Sequence, residues 1–482
     1  MSTLRTCVAV ALPPVLLLVS SLAGCSKSDP ASPVPSRIFF ITVDTLRADH
    51  LGIYGYPRNT SPNLDRLAGE GVLFDRAIAQ WPKTTPSFAS MFTGRYPQST
   101  GMTHRAARRL AEKYQTLAEM MQAAGYWTAA VVSNPVLSTD LGWNQGFDVF
   151  EETWQTEEDL GSDRVRFRAL TSAPRVNEMA RPLLRRSVDK ERSFIWLHYS
   201  DPHVPYLLPP EFDNPFLGDE FDADQPVPVK LPPTIQIGEE TRVGFYVAQY
   251  DANVQVADRY IGEILEVIDE LGLLEDALVV FTSDHGEGLG EHDYYFRHGG
   301  VPYNTNSHVP LFIRYPGAVG GGQIVQLPVE LIDLYPTLGE LISAEMPTEL
   351  EGKSLVPFLR GPGKRVKIDP TDFAYAYSES GQPKNRRNYY RTVQDERWKL
   401  VFHPAVDKKG RQEPVLFELY DLETDPLELS DLAGQHENQF KRLWDRLSSW
   451  MQQGENPSAE MAEGEGHSQE TRDALRALGY LD

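Results

Sequence analysis

The stretch Trp81-Pro-Lys-Thr-Thr-Pro-Ser-Phe-Ala-Ser-Met-Phe-Thr-Gly-Arg95 places hydroxyl groups where an anion would be held. Thr85 followed by Pro86 reads as an N-cap with proline at the first helical position, and Gly94 as a stop, so the spacing predicts a helix over 86–93. Thr84 then falls just before a helix N-terminus, where free N–H groups and the helix dipole favour a sulfate or phosphate. The same residues also suit a plain capped surface helix, so the rest of the chain must decide. Four further polar residues, Asp44, Asn134, Asp201 and Asp284, each follow a short apolar run.

Those runs, together with one more, lie at 37–43, 128–132, 194–198, 277–281 and 309–314, and they read as buried strands. Amphipathic helical patterns separate them, including 117–124 and 254–271. Runs apolar on both faces, alternating with helices, predict an α/β fold with a mostly parallel central sheet sandwiched by helices. In such a sheet functional residues lie just past the strand C-termini, where all four polar residues fall. Pro205 to Glu240, rich in Pro and Asp and without periodicity, reads as a long surface excursion. Beyond Leu359 the segments 390–401 and 416–420 read as strands of a smaller antiparallel sheet. A helix over about 439–451 and a short terminal helix over 470–480 follow. There is no internal repeat.

The segment 84–95 resembles the signature of the sulfatase family: Cys or Ser, any residue, Pro-Ser-Arg, then a short helix ending in Thr-Gly-Arg. Aligning Pro86-Ser87 and Thr93-Gly94-Arg95 puts Thr84 at the nucleophile position and Phe88 at the arginine position. Val43-Asp-Thr-Leu-Arg-Ala-Asp-His-Leu-Gly52 and Ser283-Asp-His-Gly-Glu-Gly288 resemble the two metal-binding segments of the same family. The resemblance covers about residues 36–435, including a C-terminal match at 416–425. It implies an alkaline-phosphatase-like fold and ester hydrolysis, with one divalent metal held by Asp44, Thr84, Asp284 and His285. His203, in His198-Tyr-Ser-Asp-Pro-His-Val-Pro-Tyr206, resembles the histidine that contacts the ester. His298-Gly299 falls at a Lys-Gly, which makes His298 the expected proton donor to the leaving group. His292 is open between a contact at the site rim and loop structure.

The departures from that pattern bear on chemistry. Threonine carries a methyl on Cβ, so formylglycine is not possible at Thr84. Its hydroxyl on a metal instead resembles the phosphate-ester branch of the alkaline phosphatase superfamily. A phosphoryl-threonine can be hydrolysed, whereas a sulfo-threonine has no hemiacetal route for expelling sulfate. Phosphate or phosphonate esters are therefore the expected substrates, and a sulfuric ester hydrolase of arylsulfatase type is the alternative. Thr45 stands for a second aspartate and His285 for an asparagine, which favours manganese or zinc over calcium. Asp201 is open to pairing with His203 or serving a second metal. Two-metal relatives space such a pair by four residues and this chain by two, so one metal is expected. At Val131–Leu137 a Gly-Lys-Trp-His-Leu-Gly is missing and Asn134 remains, with the ester oxygens as its expected hydrogen-bond acceptors. Those losses also suit a catalytically degenerate cell-surface binding protein, which the intact Asp44, Thr84, Asp284 and His285 oppose.

The 482 residues carry a formal net charge of −22, which argues against nucleic acid as a partner. An acidic protein that binds an anionic ester, small or glycan-linked, needs locally concentrated positive charge such as a metal. Residues 1–24 read as a secretory signal, and Leu22-Ala23-Gly24-Cys25 resembles a bacterial lipobox. Cys25 would then carry a lipid and hold the protein at the membrane of the cell envelope, facing periplasm or exterior. Cys7 lies within the signal, so the mature chain has one cysteine and no disulfide. The expected organisation is signal 1–24, tether 25–36, catalytic domain 37–345, C-terminal subdomain 346–435 and helical tail 436–482.

Overall fold

The computed structural model describes residues 34–103, 109–154, 173–209, 211–218, 225–315, 321–359, 373–382, 385–403 and 416–454. The signal, Cys25, most of the tether and the terminal helix expected at 470–480 lie outside them. Val34 onward forms one unit.

Strand β1 (Arg37–Val43) shows how the main sheet is made. Ile38 and Phe40 pack on one face of it, and Phe39, Ile41 and Val43 on the other. This is the period-two alternation of a pleated strand with apolar cover on both sides. The first face is covered by helices Thr84–Thr93, Leu117–Ala123 and Leu334–Leu341, through Phe88, Met91, Met120 and Leu338. The second is covered by Pro62–Gly69, Ala173–Ser187 and Val243–Glu270, through Leu64, Val176, Val254 and Ile261.

The other strands of this sheet are β2 (Val72–Ile78), β3 (Trp127–Val132), β4 (Val149–Glu152), β5 (Ser193–Tyr199) and β6 (Leu278–Ser283), with β9 (His308–Arg314) and β10 (Gln323–Glu330). Their order is β10-β2-β9-β6-β1-β5-β3-β4, and a small pair, β7 (Gly288–Leu289) and β8 (Tyr295–Arg297), stands apart. All neighbours in the large sheet are parallel except β9, which runs against both β2 and β6. The expected mostly parallel sheet is therefore present, with β9 reversed. Between β6 and β9 the chain makes β7, β8 and short turns of helix but no crossover helix, and it returns antiparallel.

A second sheet, β11-β12-β13-β14, is wholly antiparallel: Ala376–Gln382, Asn385–Gln394, Trp398–His403 and Leu416–Asp421. The single strand expected over 390–401 is two strands. Asp395 Oδ1 accepts from the N–H groups of Arg397 and Trp398, which turns the chain within that run. Helix Glu437–Gly454 packs Leu443, Leu447 and Trp450 against this sheet. The excursion over 205–240 is not purely superficial, since Tyr206, Phe216, Leu231 and Ile235 are buried.

A buried acid pair lies where the two sheets meet. Glu330, at the end of β10, accepts from Tyr96 Oη and from the Tyr377 N–H of β11. Burial and the facing Asp333 push its carboxyl up to about 8. A raised carboxyl contributes stability in full below its unfolded value and loses it as pH rises through the folded one. Thermal stability should therefore fall as pH rises towards 8, and Glu330→Gln should flatten that slope in melts taken across the range. An unchanged slope in the variant would place the alkaline sensitivity elsewhere.

Candidate active site

The parallel register of β1 on β6 sets Val43 beside Ser283, so Asp44 and Asp284 leave the sheet next to each other. Ser283 Oγ fixes the exit by accepting from Leu46 N–H and donating to the His285 carbonyl. Asp284 Oδ1 accepts from the backbone N–H groups of Thr45 (3.2 Å) and His285 (2.9 Å). Asp44 Oδ2 accepts from Asn134 Nδ2 at 2.6 Å. The remaining oxygens, Asp44 Oδ1 and Asp284 Oδ2, are buried and have no hydrogen-bond partner.

His285 completes the group. Its Nδ1 donates to the Gly286 carbonyl at 3.0 Å, so Nε2 presents a bare lone pair. That nitrogen lies 3.3 Å from Asp284 Oδ2 and 3.8 Å from Asp44 Oδ1. It is also 3.3 Å from Thr84 Oγ1. One ligand atom from each of Asp44, Asp284 and His285 fits within 4.8 Å of the others. Burial raises the carboxyl pKa of Asp44 and, with Asp44 facing it, raises that of Asp284 further; burial also lowers His285. Two orphaned carboxylate oxygens, an unprotonated imidazole nitrogen and a hydroxyl converging in the interior are a donor set that fits a divalent cation.

Helix Thr84–Thr93 starts earlier than expected. Lys83 is the N-cap residue and Thr84 lies in the first turn, so Thr85 does not cap. Ser87 Oγ donates to the Asp284 carbonyl at 2.6 Å and fastens this turn to the exit of β6. Thr45, in the place of the second aspartate, has a left-handed backbone (φ 56°) that β-branched residues rarely adopt. Tyr250 Oη donates to its carbonyl, and its own Oγ1 is buried without a partner.

Three histidine rings continue the site outward. The His285 and His298 centroids are 4.5 Å apart, and those of His203 and His298 are 5.1 Å apart. His203 Nδ1 donates to the Val204 carbonyl. His298 Nδ1 faces Glu287 Oε1 at 3.3 Å, and burial pushes that wholly buried carboxyl up to about 8. Burial, with His203 and Lys83 nearby, lowers His298 well below the ordinary imidazole value.

Several residues take places that differ from expectation. Asn134 gives its amide N–H to Asp44 and caps the turn Pro135–Leu137 through Oδ1, so it orients a carboxylate where an ester contact was expected. Asp201 Oδ2 accepts from Ala173 N–H, at the start of helix Ala173–Ser187. His292 stacks on Tyr303 at 3.5 Å and donates to the Leu427 carbonyl, which makes it part of the loop framework. Phe88 is fully buried, with its ring 5.1–5.2 Å from His198 and Trp196. At the arginine position the chain has core packing.

His198 and Glu287 were not singled out from the sequence. His198 Nδ1 meets Thr42 Oγ1 at 3.1 Å, and its Nε2, without a hydrogen-bond partner, stands 3.8 Å from Asp44 Oδ2. Burial takes its pKa down to about 3, so the ring is neutral. Glu287 lies in the quoted Ser-Asp-His-Gly-Glu segment, and that position was the available signal.

The C-terminal sheet grips the loop behind His298. Lys399 and Glu428, both fully buried, form an ion pair at 2.7 Å. Lys399 Nζ also donates to the Pro302 carbonyl and to Asn304 Oδ1, while Asn304 N–H donates to Glu428. Gly381 N–H of β11 donates to the Gly299 carbonyl.

Residues 36–344 match the sulfatase family, and residues 290–455 match the C-terminal region of N-sulphoglucosamine sulphohydrolase. The chain is 24% identical to an N-acetylglucosamine-6-O-sulfatase of Bacteroides thetaiotaomicron, over 87% of each sequence. It is 25% identical to the multifunctional alkaline phosphatase superfamily protein PehA of Trinickia caryophylli, over 83% of this chain and 91% of that one. A phosphonate monoester hydrolase from Silicibacter pomeroyi has the same fold, with a TM-score of 0.70 and 22% identity across 88% of this chain and 96% of that one. A structure solved with the substrate D-glucosamine-2-N,6-O-disulfate superposes with a TM-score of 0.68 and 20% identity, covering 89% of this chain and 100% of that one. With the family match spanning most of the chain, this protein belongs to the sulfatase family and is an ester hydrolase of the alkaline phosphatase superfamily.

Proposed function

We propose that this enzyme is metal-dependent, uses Thr84 as its nucleophile and prefers phosphate or phosphonate esters to sulfate esters. One observation carries the reading: Thr84 Oγ1 lies 3.3 Å from His285 Nε2, the nitrogen that groups with the orphaned oxygens of Asp44 and Asp284. Those four residues would hold the cation, manganese or zinc by donor type, which when bound supplies Lewis-acid charge to the ester and to the hydroxyl.

The chain's own groups account for the remaining steps. Thr84 Oγ1 releases its proton to solvent and forms a bond to phosphorus, while the bond from phosphorus to the departing alcohol oxygen breaks. The N-terminal end of helix Thr84–Thr93 turns its positive dipole end to the equatorial oxygens. Glu287, kept protonated by burial, donates to Nδ1 of the neutral His298, so the ring's own proton sits on Nε2 and passes to the leaving oxygen as the Glu287 proton moves to Nδ1. Water then cleaves the phosphoryl-threonine, with His298 or His203 taking its proton. A sulfo-threonine lacks the hemiacetal exit, which is why phosphorus is preferred. Sulfated sugars, the substrates named for some relatives, remain the second reading.

The test is turnover of p-nitrophenyl phosphate, bis-p-nitrophenyl phosphate, p-nitrophenyl phenylphosphonate and p-nitrophenyl sulfate by protein reconstituted with manganese, zinc or calcium. The phosphorus esters should be cleaved at least about tenfold more efficiently, a difference of about 1.4 kcal/mol in transition-state stabilisation. Turnover of the sulfate ester alone would reverse the preference.

We also place the enzyme at the cell envelope through a lipid on Cys25, on the strength of Leu22–Cys25. Cys25→Ala should leave an unlipidated precursor that is not cleaved at this site, as read by mass spectrometry of the membrane fraction. A wild-type mature protein without lipid, starting elsewhere, would rule this out.

A further inference from the structure

Strand β2 carries a charged pair where a strand with neighbours on both sides should be apolar. Asp75 and Arg76 sit in its middle, between β10 and β9. The pairing with β9 shifts register between Phe74 and Ala77, so both residues fall in a break of that ladder. His308 Nε2 donates to the Asp75 carbonyl at 2.8 Å and so satisfies the backbone at the break. The charged groups themselves are 3.8 Å apart at Arg76 Nε and Asp75 Oδ2, too far for a hydrogen bond.

The pair opens onto a cleft of about 310 Å³, at the lower end of the range for small-molecule pockets. Gln394 at the end of β12, Tyr54, and Leu422 and Leu427 beyond β14 form other parts of its wall. No residue of the catalytic group lines it. Two polar atoms on its lining residues are buried and unmatched. Gln394 is 2% exposed and its Oε1 has no hydrogen-bond partner, and Arg76 Nη1 is in the same condition. Each unpaired buried polar atom is destabilising, so two on residues of one cleft point to a ligand that pairs them.

The chemistry of the wall selects that ligand. Arg76 Nη1 needs an acceptor, whereas Gln394 Oε1 and the Asp75 carboxylate need donors. A hydroxyl is both, and neighbouring hydroxyls on one small molecule meet all three. The carboxylates of Asp75 and Asp49 on the wall disfavour an anion. Each already faces a guanidinium, of Arg76 and Arg47 respectively, which disfavours a cation. A metal is disfavoured too, since among the described residues only Asp44, Asp284 and His285 are spaced for one. Tyr54, Leu422 and Leu427 supply apolar surface for the C–H face of a sugar ring.

We propose that this cleft is a second binding site, for one neutral saccharide unit, separate from the site that cleaves the ester. Hydroxyls of the sugar accept from Arg76 and donate to Gln394 Oε1 and Asp75. Thr84, the metal and the choice between phosphorus and sulfur play no part in it.

The experiment is calorimetric titration of the purified full chain with D-glucose, D-galactose and N-acetyl-D-glucosamine, with glycine and inorganic phosphate as charged probes. At least one sugar should bind with a Kd in roughly the millimolar range, the strength of a few hydrogen bonds on a small ligand. Gln394→Leu and Arg76→Met should each weaken that sugar roughly tenfold, as for loss of one hydrogen bond in a desolvated site. Gln394→Leu should keep or raise the melting temperature, because its amide oxygen has no protein partner to lose. Asp284→Asn should bind the sugar as wild type does. Absence of binding by every sugar would overturn the proposal, and so would equal affinity in wild type and both variants. Loss of sugar binding in Asp284→Asn would place the sugar in the active site instead. Binding of glycine or phosphate that Gln394→Leu and Arg76→Met abolish would overturn the choice of a neutral ligand.

Discussion

Thr84→Val is expected to lower the rate of ester hydrolysis by at least roughly several hundredfold, because metal-activated nucleophilic attack contributes several kcal/mol. Valine matches the shape of threonine and lacks the oxygen. Thr84 is buried and its Oγ1 meets His285 Nε2, so the substitution deletes one polar contact without opening a cavity. Thr84→Ser returns the oxygen on a freer side chain and should retain part of the activity. With a phosphate ester, rapid acid quench should trap phosphate on Thr84. Near-normal turnover by Thr84→Val would show that water attacks directly or that the nucleophile is elsewhere. Thr85 and Ser87 are the nearest hydroxyl residues, and Ser87 already spends its proton on the Asp284 carbonyl.

Asp284→Ala should remove metal and activity together. The change deletes one of the orphaned oxygens, and it leaves the N–H groups of Thr45 and His285 without their acceptor. Some stability is lost for that second reason, typically about 1–3 kcal/mol for an unmet buried polar group. Asp284→Asn serves as the milder control, because its amide oxygen can still accept both N–H groups while the charge is gone. Metal analysis should find both variants depleted. Added manganese or zinc should raise the melting temperature of wild type and leave that of Asp284→Ala unchanged. Full metal occupancy in Asp284→Ala would remove the proposed ligand set.

Those two variants test residues that the sequence made visible, and the reason is geometric. β1, β3, β5 and β6 are apolar on both faces, so they stand out as runs, and an acid just past such a run lies at the sheet's functional edge. β2 and β10 were hidden because Asp75-Arg76 interrupts one and alternating polar residues with Pro328 make up the other, which is an edge strand. The reversal of β9 lies in what the connection from β6 lacks, and local periodicity does not carry it. His198 was hidden for another reason. It is a strand residue whose importance comes from its neighbour across the β1–β5 register, where it pairs with Thr42 and so lies beside Asp44. Asn134 was visible as a strand-end amide, but its engagement with Asp44 required the positions of both strands.

The order in which the chain is made gives the grip of the C-terminal sheet a further meaning. Lys399 reaches back 97 residues to the Pro302 carbonyl, and Glu428 reaches back 124 to Asn304. In a chain that emerges N-terminus first, the strands bearing Asp44 and Asp284 and the loop bearing His298 all appear before either of those partners. Asp44 and Asp284 can therefore be brought together while His298 still lacks its seat, because the partners of that seat come later in the chain. A growing chain would reach catalytic competence only when its final sheet docks. An enzyme whose reaction is hydrolysis would thus be assembled inert and switched on by its own completion.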